Sequence, residues 1–343
     1  MTLSPVPMTT STGRPLQSLL KSDSDAKQSA VSARERGPAG SAFRWSNCPR
    51  SFPLLNPSRL SRWRRKASAL ETLLHSRRFS RRGFWSQHQH DRRPRINLDR
   101  YALAQTVTLP VIATDCSGVA YSPVTRTLFM IKNSSNSIYE FTEAGVWLRT
   151  ITTTGFADCE GICWMYDDKF GISEEDTSMI VIVTIAPGTA SITKGVGTTT
   201  VDTGLGNLDA STGGGFEGVT FDPDNHKFYV VKERQTAGPT SNGMAVYEVL
   251  MSGLARQIFS APVKLAGLAT DLADVFYDVH SRHLFLLSQE SERIIETDLS
   301  GTVFRTSAVP VPMTQAEGLT FSVDRSTMWV VGEPNEMRRF TVF

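Results

Sequence analysis

Acidic side chains recur at both ends of a short β-hairpin pattern in this chain. In the clearest copy, residues 217–222 (EGVTFD) and 228–233 (FYVVKE) flank a turn around Asn225. Related segments begin near Ser117, Glu160, Ala273 and Glu317. Because the five copies are equivalent, acidic residues at matching positions are expected to meet in the folded protein.

Symmetric pairing about each turn predicts which side chains lie opposite one another. It also sets Val219 opposite Val231. Like charges directly opposite on paired strands are destabilising, so the acidic pairs require a cation, a polar ligand, basic partners or solvation. The predicted end pairs are Ser117 with Asn133, Glu160 with Glu175, Glu217 with Glu233, Ala273 with Gln289, and Glu317 with Glu333.

These residues predict an acidic crown at one end of the repeats. Hard cations such as Ca²⁺ take six to eight oxygen ligands, which carboxylates and amides supply. The alternative is a solvated acidic rim with some arginine pairing. The predicted metal ligands are Glu160, Glu175, Glu217, Glu233, Glu317 and Glu333, and the predicted further ligand-binding residues are Asp115, Asn133, Asp158, Asp271 and Gln289.

The repeat predicts an all-β protein, a five-bladed β-propeller. Short apolar strands separated by Gly, Asp, Asn and Pro turns recur at intervals typical of four-stranded blades. Six blades remain an alternative if residues 186–215 hide a degenerate copy. Residues 337–343 are expected to form the third strand of the last blade and residues 101–109 its outer strand, which would close the ring. The first strand of each blade then lines the channel.

The two parts of the chain differ strongly in charge. Residues 1–100 hold 17 Arg and 3 Lys against 6 acidic residues, a net charge of +14, whereas residues 101–343 carry −12. The first part lacks hydrophobic periodicity, so residues 1–96 are predicted to be a disordered basic tail and residues 97–343 the propeller. Nucleic-acid binding by the tail and an over-extended start codon are the alternatives considered. No signal peptide and no membrane-spanning apolar run are recognisable.

The cysteines and histidines do not indicate a familiar catalytic site. Cys116 and Cys159 occupy equivalent places in neighbouring copies, but small buried thiols are favoured over a disulfide. His226, His280 and His283 fall at the hairpin turns, away from the crown. A general base must reach its proton directly or through one water, so these histidines are poorly placed to act at the crown.

Several segments together resemble the SdiA-regulated, YjiK-like propeller family. The resemblance rests on residues 101–110, on SGVAY at 117–121, on GFADCEGI at 155–162, on FEGV at 216–219 and on DLADV at 271–275. It covers about residues 101–343. The family implies a propeller with a cation in the acidic mouth and an extracytoplasmic or cell-envelope setting, and it implies no established catalytic activity.

The hypothesis favoured by the sequence is a non-enzymatic, monomeric binding module. Its Ca²⁺-containing mouth is expected to take a small molecule, glycan or peptide, and nucleic acid is not favoured as a partner. A metal-dependent hydrolase of the lactonase or phytase type is the first alternative, because a cation with carboxylates can activate water without histidine. A structural scaffold of a surface or virion-like assembly is the second.

Overall fold

The chain folds into a closed ring of antiparallel sheets. The computed structural model describes residues 95–208, 214–233, 243–308 and 313–343. Most of the predicted basic tail therefore lies outside the described residues. Nearly all of the regular secondary structure in the described part is strand, which confirms the all-β prediction.

The described residues contain 21 strands and a few short helical turns. The helical turns are three 3₁₀ segments, Leu98–Arg100, Val111–Ala113 and Asn133–Ser135, and one α-helix, α1 (Ala261–Lys264). The strands are β1 (Tyr101–Thr108), β2 (Cys116–Ser122), β3 (Thr127–Lys132), β4 (Ile138–Thr142), β5 (Trp147–Thr154), β6 (Cys159–Tyr166), β7 (Lys169–Glu174), β8 (Met179–Thr184), β9 (Ser191–Thr193), β10 (Thr199–Val201), β11 (Phe216–Asp222), β12 (Lys227–Lys232), β13 (Ala245–Leu250), β14 (Ala255–Ser260), β15 (Asp274–Asp278), β16 (His283–Ser288), β17 (Arg293–Thr297), β18 (Val303–Ala308), β19 (Gln315–Phe321), β20 (Thr327–Glu333) and β21 (Glu336–Val342).

These strands form the five blades that the repeat predicts. In order from the channel outward, the blades are β2-β3-β4-β5, β6-β7-β8-β10, β11-β12-β13-β14, β15-β16-β17-β18 and β19-β20-β21-β1. Strand β9 extends the first blade by pairing in parallel with β5. Residues 186–215 thus supply β9 and β10 rather than another blade, so the six-bladed alternative is wrong for the described chain.

The ring closes through the last blade, as predicted. Strand β1 pairs with β21 along nearly its whole length, from Tyr101 opposite Val342 to Thr108 opposite Glu336. This closure joins the two ends of the propeller in one sheet and leaves no gap between the first and last blades. Ile96 and Leu98, directly before β1, are buried in the core beside the same blade.

Each blade buries both of its faces against its neighbours. In β12, Phe228, Tyr229, Val230 and Val231 are all fully buried, because successive side chains point to opposite faces and both faces are covered. Apolar clusters lie between adjacent blades; in one of them the rings of Phe129 and Phe170 are 4.7 Å apart. The apolar runs read from the sequence are therefore explained by the stacking of blades.

The hairpin register differs from the symmetric pairing predicted above. Val219 lies opposite Val230 rather than Val231, and Glu333 lies opposite Gln315 rather than Glu317. The cause is a β-bulge near the start of the first strand in four blades, which inserts extra residues into that strand. The predicted pairs Ser117–Asn133, Glu160–Glu175 and Glu217–Glu233 are displaced for the same reason, and Ala273–Gln289 is displaced because Asp274 pairs with Leu287.

Glycine follows the bulged residue where neighbouring first strands touch. A methyl group added at Gly161 would lie 2.8 Å from the carbonyl oxygen of Glu217 and from the backbone nitrogen of Val219. At Gly118 it would lie 2.8 Å from the Glu160 carbonyl oxygen. The recurring Glu-Gly pairs therefore serve packing as well as charge, because only glycine allows this approach of backbones.

Substituting Gly161 tests how tightly the first strands pack. Gly161→Ala should lower the free energy of unfolding by about 2 kcal/mol or more, since the new methyl group meets the backbone of Glu217 and Val219 as well as the Ser173 hydroxyl. Chemical denaturation measures the loss. Gly188→Ala is the comparison, because nothing lies within 4 Å of its added methyl and only its positive φ is unfavourable. Equal effects of the two substitutions would contradict tight packing at Gly161.

Candidate functional site

One end of the channel, called the mouth below, is built where the first strands begin and the second strands end. Glu160, Glu217 and Glu317 occupy the bulges of β6, β11 and β19. A bulge leaves its extra residue out of the regular pairing and re-aims its side chain. The bulges therefore explain how glutamates separated by more than 50 residues reach one mouth, even though the strands do not pair them directly.

Two groups of carboxylates converge on Glu175. Asp158, Glu160 and Glu175 form one group, and Glu175, Glu217 and Glu233 form the other. Within each group the oxygens lie within 4.8 Å of one another. Five acidic residues from blades 2 and 3 are thereby brought together, four of them predicted metal ligands and the fifth, Asp158, predicted as a further ligand.

Glu317 and Glu333 belong to neither of these two groups. Glu333 shares a hydrogen bond with Asp115 of the neighbouring blade, and the Asp115 carboxylate also accepts one from the Ser134 backbone N–H at 3.0 Å. Burial and the Asp115 carboxylate raise the pKa of Glu333. Burial also raises the pKa of Asp115, but its hydrogen bonds with Ser134 and Glu333 outweigh this and the pKa is lowered. Of the two carboxyl groups, that of Glu333 therefore has its pKa shifted upward and that of Asp115 downward.

Burial and mutual repulsion raise the pKa of the bulged glutamates. The pKa of Glu160 is raised to about 8, first by burial and then by the charges of Glu175 and Asp158. The pKa of Glu317 is also raised to about 8, by burial and by charges that include that of Glu333. Burial and the surrounding glutamates raise the pKa of Glu217 well above its ordinary value, although part of its surface remains accessible. Near neutral pH the mouth therefore holds protons or requires another positive charge.

The predicted amide and aspartate ligands take several positions. Asn133 donates a hydrogen bond from its amide to the Glu160 carboxylate, so it orients a predicted metal ligand. Asp271 is buried, and its carboxylate accepts hydrogen bonds from Ser288 and from the backbone N–H groups of Gln289 and Glu290. Asp271 and Gln289 thus lie together at the end of blade 4, where Asp271 holds the β16–β17 turn; their ligand role stays a prediction.

Asp274 is a channel carboxyl that the sequence reasoning did not assign to the site. It occupies the repeat position that is glycine in the other copies, and an added methyl at Gly218 of the neighbouring strand would collide with it. Its carboxyl accepts hydrogen bonds of 2.7 Å from the backbone N–H groups of Val275 and Leu319. Burial nevertheless raises its pKa well above the ordinary value. The departure from glycine in the fourth copy was the available sequence signal.

Lysines also approach the mouth from the ends of second strands. Lys132 and Lys232 occupy equivalent places in blades 1 and 3, opposite Cys116 and Phe216. The Lys132 ammonium donates to the Thr114 hydroxyl, and that of Lys232 donates to the Glu233 backbone carbonyl. In blade 2 the buried Glu174 instead pairs with Lys194 at 2.6 Å. These lysines place positive charge beside the acidic residues, a feature that hairpin symmetry did not predict.

The donor set fits a hard cation. Both groups around Glu175 offer carboxylate oxygens, the ligand type that Ca²⁺ prefers. Cys116, Cys159 and Cys163 are buried free thiols, so the two cysteines weighed for a disulfide do not pair. Neither group contains a histidine or a cysteine, the ligands that zinc prefers.

The chain matches the SdiA-regulated family model over residues 95–341. It belongs to the SdiA-regulated family. This membership confirms the resemblance found in the sequence. Among the described residues, no helix is long and apolar enough to cross a membrane.

Solved structures give more distant similarity. A nidogen/laminin complex matches at 15% identity with a TM-score of 0.42, covering 64% of this chain and 73% of the other. A luciferin-regenerating enzyme matches at 12% identity with a TM-score of 0.44, covering 69% and 95%. A catalytically inactive virginiamycin B lyase from Staphylococcus aureus, with quinupristin, matches at 14% identity with a TM-score of 0.39, covering 66% of each chain.

The raised pKa values predict an unusual pH dependence for the metal-free protein. Glu160 and Glu317 titrate near pH 8 when folded and near their ordinary value of 4.5 when unfolded. Between pH 4.5 and about 8 the folded state therefore binds more protons than the unfolded state, so the free energy of unfolding falls as the pH rises. The stability that these protons contribute is fully present below pH 4.5 and is lost once the pH has risen through about 8. With chelator present, the melting temperature should be higher at about pH 5 than at about pH 9.

Neutral isosteres provide the control for this pH dependence. Glu160→Gln and Glu317→Gln should each flatten the curve, because glutamine imitates the protonated carboxyl and carries no charge at high pH. Melting is followed by circular dichroism at matched ionic strength. The raised pKa values of Glu160 and Glu317 would be contradicted if the melting temperature of the unsubstituted protein rose steadily from about pH 5 to about pH 9.

Proposed function

We propose that the protein is a non-enzymatic binding module whose acidic mouth holds Ca²⁺ and, with it, an extracellular or envelope ligand of small-molecule, glycan or peptide type. The observation that carries the proposal is the position of Glu175, shared by two groups of carboxylates whose oxygens lie within 4.8 Å of one another. Carboxylates this close repel one another unless protons or cations intervene.

Two groups of residues would hold the cation. Asp158, Glu160 and Glu175 offer oxygens on one side, and Glu217 and Glu233 extend the set on the other. Asn133 orients Glu160 through its amide, and the Gly215 backbone N–H donates to the Glu175 carboxylate at 2.9 Å. When bound, Ca²⁺ would supply positive charge and open coordination positions for an oxygen-rich ligand.

The histidine positions support binding over histidine-dependent hydrolysis. His226 lies in the turn between β11 and β12, and His280 and His283 lie at the turn between β15 and β16. His283 contacts Glu296 at 2.7 Å, and His280 contacts Arg325. These three described histidines are at the end of the blades opposite the mouth, beyond direct reach of a ligand there. The metal-dependent hydrolase and the scaffold remain predictions without an observation that favours them.

Calcium titration of the metal-free protein tests the proposal. A ligand that binds only the folded state stabilises it by about 2.7 kcal/mol at a hundred times its dissociation constant. Adding Ca²⁺ at about pH 8 should therefore raise the melting temperature, and chelator should reverse the rise. Calorimetric titration should also show proton release, because the bound cation replaces protons on glutamates with raised pKa.

Single substitutions locate the effect. Glu175→Gln should reduce calcium affinity by at least about tenfold, because it removes the carboxylate common to both groups. Asp167→Asn is the matched control, since Asp167 is exposed at a turn far from the mouth and its loss also removes one negative charge. Equal affinities in both variants, or an unsubstituted protein indifferent to Ca²⁺, would refute the proposal.

A further inference from the structure

The loop before the first strand of blade 2 carries Asp158 into one of the two groups of carboxylates. This loop, residues 155–158, lies outside the strands and is called the Asp158 loop here. Its end is fixed by the backbone, because the Glu175 N–H donates to the Asp158 carbonyl at 2.8 Å. Its middle is held by a side chain, since the Glu174 carboxylate accepts a hydrogen bond of 3.1 Å from the Ala157 backbone N–H.

The repeat position of Glu174 holds the corresponding loop in blade 1 as well. Glu174 ends β7 and Lys132 ends β3, and each lies opposite the first residue of its blade's first strand. The Lys132 ammonium donates to the hydroxyl of Thr114, which directly precedes an aspartate as Ala157 does. The last residue of the second strand therefore holds the loop before the first strand in both blades, but the two residues have opposite charge.

Glu174 requires a cation because it is completely buried. A buried charge that has lost its partner is strongly destabilising. The Lys194 ammonium lies 2.6 Å from Oε2 of Glu174, and the Thr177 hydroxyl donates to the same oxygen at 2.7 Å. The other oxygen, Oε1, is the one that accepts from the Ala157 N–H. Lys194 therefore acts on the Asp158 loop through Glu174.

Lys194 follows β9, which is the only fifth strand that a blade has among the described residues. Strand β9 pairs in parallel with β5, with Thr193 opposite Thr154, and the Lys194 N–H then donates to the Thr154 carbonyl at 2.9 Å. A methyl group added at Gly155, where the Asp158 loop begins, would lie 3.6 Å from Cβ of Lys194. The added strand thus delivers a cation to the base of the loop.

We propose that Glu174 and Lys194 are positioning residues for the mouth, whose ion pair holds the Asp158 loop in place. The held loop brings the Asp158 carboxylate close to those of Glu160 and Glu175. Glu174 belongs to neither group of carboxylates, so it orients a ligand rather than binding the cation itself. The inference rests on the proposed function, since Asp158 would hold the cation. Loss of residues that orient a metal ligand typically weakens binding by about 10-fold to 100-fold.

Hydrogen exchange in the metal-free protein tests whether the pair holds the loop. Lys194→Met leaves the buried Glu174 carboxylate without its cation and should speed exchange of the Ala157 amide by about tenfold. Glu174→Gln should have a similar effect, because glutamine has one acceptor oxygen and cannot serve Lys194 and the Ala157 N–H together.

The double variant separates positioning from a merely structural contribution. With Glu174→Gln and Lys194→Met combined, no charge is left unpaired, and the glutamine carbonyl is able to accept from the Ala157 N–H while its amide faces Thr177. Protection of the Ala157 amide should therefore return. If Lys194 served only to pack β9, a second substitution at Glu174 would restore nothing. Should Lys194→Met fail to fold, Glu174→Gln and the double variant make the same comparison.

Calcium affinity tests the connection to the mouth. In calorimetric titration well below the melting temperature, the dissociation constant should rise about tenfold in each single variant and return towards its original value in the double variant. Lys227→Met is the matched control. Lys227 forms an ion pair of 2.5 Å with Glu248 at the opposite end of blade 3, and its side chain is 16% exposed against 20% for Lys194. This control should leave both calcium affinity and exchange of the Ala157 amide unchanged.

Three results would overturn the proposal: unchanged exchange of the Ala157 amide in both single variants, no recovery in the double variant, or an equal loss of calcium affinity in Lys227→Met. A failure of the proposed function looks different, because the unsubstituted protein would then not bind calcium at all. Hydrogen exchange of the metal-free variants would still decide whether Glu174 and Lys194 hold the loop.

Discussion

The first strands of the five blades share one narrow channel, and the short distance between them governs the rest of the structure. Gly118 and Gly161 have no room for a methyl group because the backbone of the next first strand lies against them. The same proximity crowds the glutamates that precede these glycines or lie nearby. Packing and electrostatics at the mouth therefore have a single cause, and relieving one would loosen the other.

Bulges reconcile this crowding with regular sheets. A regular first strand would alternate its side chains between the two neighbouring blades, whereas an extra residue leaves the pairing and changes the direction of its side chain. In β6, β11 and β19 that residue is a glutamate; in β2 it is Ser117. The first hairpin of blade 4 has no register shift, and it carries Asp274 at the position of the glycine, where the carboxyl bridges to the backbone of β19.

Like charges meet at one end of the propeller, whereas opposite charges are paired at the other. At the mouth, like charges meet and their pKa values rise. At the opposite end, where the first and second strands of each blade are joined by a turn, the buried Arg325 pairs with Asp278 at 2.6 Å across blades 4 and 5, and the hydroxyl of Tyr101 donates to the Arg325 backbone carbonyl. These contacts tie the closing strand to its neighbours. Balanced charge thus accompanies closure of the ring, while unbalanced charge is concentrated where a ligand is able to supply the missing partner.

The fold could be predicted from the sequence because strands and turns are encoded by short stretches of neighbouring residues. The blade count and the closure by residues 101–109 both follow from turn residues and alternating apolar runs. The acidic mouth was also predictable, since equivalent positions in a ring of repeats must meet. The exact pairings were not, because symmetric pairing assumes a regular ladder and four bulges shift it.

The sequence by itself determined that the chain is a repeat of four-stranded units with glutamates at corresponding places. Only the tertiary structure decided that Asp158, Glu160, Glu175, Glu217 and Glu233 form the close groups while Glu333 turns to Asp115. It also revealed Asp274 and the lysines beside the mouth. The physical reason is that strand periodicity is encoded over a few residues, whereas side-chain distances across a channel depend on bulges and on backbones far apart in the chain.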